Sequence, residues 1–129
     1  MMISSAISRL SALILGAAGV SLLFASDVLL PKLAPGLPPS SAWLGQLVAA
    51  SWLSVALFNW NSRETILGGV YGRPAVNLNL VLYVVSALGL LKAEGGAPAR
   101  LVLTVPFAIM ALLYGMLLLR GPFDRPAGG

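Results

Sequence analysis

Apolar residues in this chain fall in long unbroken runs, without the every-second-residue alternation of a half-buried strand. Four runs stand out, residues 10–30, 42–60, 75–91 and 101–119, and Asp27 is the only charged residue in any of them. A helix needs about 20 apolar residues to cross roughly 30 Å of hydrocarbon. Membrane barrel strands are about 10 residues long and alternate apolar with polar. The pattern therefore predicts an all-α integral membrane protein whose residues 1–129 form one four-transmembrane-helix antiparallel bundle. The connections 31–41, 61–74 and 92–100 are short, so helices adjacent in sequence should be antiparallel neighbours.

Local signals place the ends of the spans. Pro31 is expected to stop the first, and Ser40 or Ser41 to cap the second. Pro74 suits the first turn of the third. Pro106 should loosen the start of the fourth, because its missing N–H leaves the Val102 carbonyl without that bond. Trp43 and Trp60 bracket the second span at 17 residue steps, about 26 Å of helix, which matches the separation of two interfacial aromatic belts. Arg9, the run behind it and the small residues Ala25 and Ser26 also allow a signal-peptide reading. That run exceeds the usual signal core and no A-x-A site follows it, so the segment is read as a retained span.

Composition strengthens this picture. Hydrophobic residues make up 58% of the chain and charged residues 9%, against about 25% charged in soluble domains. The net charge is +4, but the eight basic residues stand singly between apolar runs. They fit contact with the bilayer and its anionic lipid headgroups, and no nucleic-acid partner is expected. Arg9, Arg63, Arg73, Arg120 and Arg125 fall on one side of the bundle and Lys32, Lys92 and Arg100 on the other. This excess predicts both termini in the cytoplasm. The compact layout fits a bacterial inner membrane.

The chain has no cysteine and no histidine. Disulfides, thiol chemistry and His- or Cys-ligated zinc, haem or iron–sulfur centres are excluded, and no cofactor or metal is expected. Only four acidic residues are present. Glu64, beside Arg63, is the single candidate base, and nothing marks a nucleophile for it, so no catalytic residue is assigned. In length and number of spans the chain is similar, in shape alone, to several small four-helix membrane families, small multidrug-resistance transporters among them. The glutamate that those transporters carry in their first helix has no counterpart here.

Three groups of residues carry the remaining expectations. Ala12 and Gly16, Gly45 and Ala49, and Ala111 and Gly115 are small pairs at four-residue spacing, which lets helix backbones approach closely in lipid. They predict packing within the bundle or between protomers. Ser51 and Ser54 with Asn61 form one polar stripe, and Asn79, Tyr83 and Ser86 another. These stripes serve either as packing contacts or as a polar path between the second and third spans. Asp27 falls near the interface, where Lys32, Lys92 or Arg100 can pair with it.

The second connection reads NSRETILGGVYGRPAVNLN. Arg63, Gly68, Gly69 and Arg73 together can hold an anionic headgroup or ligand, through backbone amides and forked guanidinium donors. The plainer reading is a turn dipping into the interface, with Ile66, Leu67, Val70 and Tyr71 buried and the arginines reaching outward. The expected function is that of a non-enzymatic structural, accessory or assembly protein acting through helix–helix contacts, with other membrane proteins or itself as partner. The alternative is a small oligomeric transporter or channel using the polar stripes.

Overall fold

The computed structural model describes residues 3–67, 70, 72–93 and 98–122. Their order is α1 (Ile3–Phe24), α2 (Ser26–Leu33), a 3-10 turn at Pro39–Ser41, α3 (Ala42–Asn61), α4 (Arg73–Lys92) and α5 (Ala99–Arg120). The chain is all-helical. Four of its helices, α1, α3 (with its leading turn), α4 and α5, are long and apolar enough to cross a membrane. At about 1.5 Å per residue each of the four is about 30–35 Å long, enough to cross the hydrocarbon.

These helices pair as two antiparallel hairpins. In the first, α1 and α3 approach closely because small residues line the seam. A β-carbon on Gly16 would meet Ala56, one on Gly19 would meet Leu53 and the Ala49 carbonyl, and one on Gly45 would meet Ser26 and Leu22. Gly16, Gly45 and Ala49 lie along this contact, and Ala12 is buried. In the second hairpin α4 packs on α5, with Leu80 opposite Gly115 and the Arg100 guanidinium donating to the Leu90 carbonyl. Larger side chains fill the space between hairpins. Phe107, Tyr83 and Tyr114 are fully buried there. Phe107 meets Trp52 edge-on at 5.4 Å and Tyr83 edge-on at 5.3 Å. Tyr83 stacks on Tyr114 at 5.9 Å.

The first span departs from its expected limits. It runs from Ile3 to Phe24, seven residues earlier than the apolar run indicates. Ser4, Ser5 and Ser8, outside the expected span, are buried, and Ser4 Oγ accepts a hydrogen bond from the Leu67 amide at 2.9 Å. The break comes at Ala25 rather than at Pro31, which sits inside α2. A tertiary contact holds the bend: Ser26 Oγ donates to the Ala42 carbonyl at 2.6 Å. Gly45 makes room for it, because any β-carbon there would collide with that same hydroxyl oxygen.

Other boundaries shift less. The start of α3 is a 3-10 turn in which Ser41 makes no side-chain capping bond. Pro106 is carried within a continuous α5. In the second connection Leu67 is buried and Ile66 half-buried, but Val70 is exposed rather than tucked in. Tyr71 lies outside the described residues.

Candidate functional site

A polar cluster closes the interior between the hairpins. Asn59 of α3 and Asn79 of α4 each donate from their amide nitrogen to the other's amide oxygen, at 2.8 and 2.6 Å. Asn59 also donates to Ser11 Oγ of α1 at 2.9 Å, and the Ser11 hydroxyl stands 2.6 Å from the Tyr83 hydroxyl. Asn79 donates in addition to the Ala75 carbonyl one turn back. All four side chains are at most 2% exposed. Three helices from both hairpins thus meet in one network.

Helix periodicity explains the convergence. Gly45, Ala49, Trp52, Ala56 and Asn59 are the buried face of α3, at alternating four- and three-residue steps. Ser4, Ser8, Ser11, Leu15 and Leu22 follow the same rhythm on α1. Asn79 lies six residues into α4, about 9 Å along its axis, and Tyr114 lies six residues before the end of α5. The cluster therefore sits toward the bundle end that carries Arg63, Arg73 and Arg120. The buried Tyr114 hydroxyl, by contrast, has no hydrogen-bond partner among the described residues.

The polar stripes divide. Asn79 and Tyr83 join the network and Ser86 is half-buried, whereas Ser51, Ser54 and Asn61 are exposed on the outside of α3. Ser51 Oγ donates to the Val48 carbonyl and Ser54 Oγ to the Ala50 carbonyl of their own helix. A serine that satisfies itself in this way can face lipid cheaply. Ser51 and Ser54 therefore do not border the interior with Asn79 and Tyr83. Asn59 and Ser11 take that place, and neither belongs to the sequence-derived stripes.

At the arginine-bearing end, Arg9 Nη2 lies 3.5 Å from Glu64 Oε1, a largely exposed pair. Glu64 is thus engaged by a cation. The Arg63 guanidinium lies over the Trp60 ring at 4.6 Å and donates to the Trp60 carbonyl at 2.7 Å, an arrangement stabilised by the negative face of the indole. Arg73 opens α4 and is exposed. Gly72 is a place of close approach, since a β-carbon there would run into the Ile66 carbonyl oxygen. Gly68 and Gly69 lie outside the described residues.

Asp27 is exposed on α2 and forms no ion pair among the described residues. The expected pairing with Lys32, Lys92 or Arg100 is not seen. Ala111 and Gly115 are half-buried along the α4–α5 seam. There an apolar groove of about 510 Å³ opens on the outside of the bundle, lined among others by Leu80, Val84, Ala108, Ala111, Leu112 and Gly115. No protein-family model, curated protein or solved structure matches this chain.

Proposed function

We propose that this chain is a non-catalytic multi-pass membrane protein of structural, accessory or assembly type, and that it works through helix–helix contacts. The observation that carries the reading is the α4–α5 groove. Its small residues Ala108, Ala111 and Gly115 face outward, where a helix of another membrane protein or a second copy can approach closely. The interior supports the same reading, because Ser11, Asn59, Asn79 and Tyr83 bond to one another and face no groove described above. A polar path between α3 and α4 draws less support, since Ser51 and Ser54 point away from it. The exposed Arg73 and the Trp60-braced Arg63 fit anionic headgroups at the interface. The arginine excess on that side supports a bacterial inner-membrane protein with both termini in the cytoplasm.

Filling the groove tests the proposal. A β-carbon at Gly115 would have only Leu80 Cδ1 nearby, at 3.9 Å, so Gly115→Leu leaves the monomer folded. Cross-linking in native membranes should then lose the adducts that the parent forms through a cysteine placed at Leu112. Unchanged adducts in the folded variant would rule out the groove as the contact surface.

A further inference from the structure

The two hairpins are bridged by hydrogen bonds at the Asn59–Asn79 end, and crevices open between them at the other. There α2 lies between them, with Leu29, Leu30 and Leu33 turned inward and Asp27, Val28 and Lys32 outward. A crevice of about 360 Å³ opens beside it, lined by residues of α1, α2, α3 and α5, among them Ala18, Leu29, Leu33, Trp52 and Val102. A second crevice, of about 280 Å³, flanks the other side of Leu33 and Leu103. The first is within the size range of small-molecule sites, about 300–1,000 Å³.

Its lining is apolar apart from Ser21 and one charged group, Lys32. Lys32 is exposed and, among the described residues, has neither an ion pair nor a hydrogen bond. Depth identifies the shape of the occupant. Lys32 and Leu33 lie at the end of α2, the short helix that follows the first span. Trp52, at the inner limit, stands ten residues into α3, about 15 Å along its axis. That is half of the roughly 30 Å hydrocarbon core, the depth of one leaflet. A cation lining an apolar slot that reaches that far into the bundle complements an acyl chain carrying a negative head.

From this geometry we infer that the crevice beside α2 is a specific site for one anionic phospholipid, its headgroup on Lys32 and one acyl chain against Ala18, Leu33 and Trp52. The site is at the opposite end of the bundle from Arg63 and Arg73 and independent of the α4–α5 groove. A bound lipid would fill the gap that α2 leaves between the hairpins.

Lipid retention under native mass spectrometry tests it, with the full chain purified in mild detergent and offered phosphatidylglycerol or phosphatidylcholine. The parent should keep one phosphatidylglycerol in preference to phosphatidylcholine. Lys32→Gln, on an exposed side chain, should cut that preference about fivefold, the loss expected for one lysine–headgroup contact. Ala18→Phe should expel both lipids. Equal retention of the two lipids by the parent, or an unchanged preference in Lys32→Gln, overturns the inference whether or not Ala18→Phe folds. Retention of several lipids without stoichiometry would mean ordinary annular contact and overturn it as well.

Discussion

Asn59 and Asn79 exchange amide hydrogen bonds across the boundary between the two hairpins, at 2.8 and 2.6 Å, with both side chains at most 2% exposed. Each amide is the other's principal partner. Hydrocarbon offers no replacement partner, so losing one side leaves the other amide short of a bond, Asn59 keeping only Ser11 and Asn79 keeping Ser11 and the Ala75 carbonyl. The single variants Asn59→Leu and Asn79→Leu should each destabilise the folded protein by about 1–3 kcal/mol. The double variant removes both polar groups and should cost clearly less than the two singles combined. Denaturant unfolding in micelles measures this, and strictly additive losses would mean that the pair is not coupled.

Two stacked tyrosines make a sharper comparison. Tyr83 has its hydroxyl 2.6 Å from Ser11 Oγ, whereas the equally buried Tyr114 hydroxyl has no partner among the described residues. Tyr83→Phe should lower stability by roughly 0.5–1.5 kcal/mol, the net worth of a hydrogen bond. Tyr114→Phe should be neutral or stabilising, because it removes a buried group that is desolvated without compensation. Thermal unfolding of the two variants side by side decides the matter. A larger loss for Tyr114→Phe would show that its hydroxyl is engaged in the membrane.

The bend at Ala25 rests on Ser26 and Gly45. Gly45→Ala places a methyl against Ser26 Oγ and should push it off the Ala42 carbonyl, at a cost of about 1–3 kcal/mol for overpacking. Adding Ser26→Ala removes the obstructing oxygen and should restore most of the loss. If the double variant is no better than Gly45→Ala alone, the contact is not what sets the position of α2.

Sequence pattern is a good guide to the number of membrane-length helices and a poor one to what lies between them. Hydrocarbon-length apolar runs need no tertiary information, so α3, α4 and α5 begin and end within two residues of their expected limits. The first span begins earlier than expected because the apolar run counts only from Leu10, behind Arg9. A contact with the second connection, which no local pattern encodes, makes Ser4 an interior residue. Pro31 misled for a related reason, since the bend is held by a long-range contact. The helical rhythm did carry one signal: Asn59 continues the face of Gly45 and Ala49, and Ser11 that of Ser4 and Ser8. Ser51 and Ser54 share the residue types of the network but sit on the opposite side of α3. Composition alone cannot separate a serine that bonds its own helix from one that bonds another.

Because the chain has no cysteine, single introduced cysteines read its placement directly. Leu13, Val85 and Ile109 are exposed residues near the middle of α1, α4 and α5; Leu37 and Thr65 lie in connections at opposite ends of the bundle. In intact membrane vesicles, a water-soluble maleimide should leave cysteines at Leu13, Val85 and Ile109 unlabelled. The same reagent should reach Leu37 and Thr65 from opposite sides. Ready labelling at the three mid-helix positions, or access to both connections from one side, would contradict four helices surrounded by lipid.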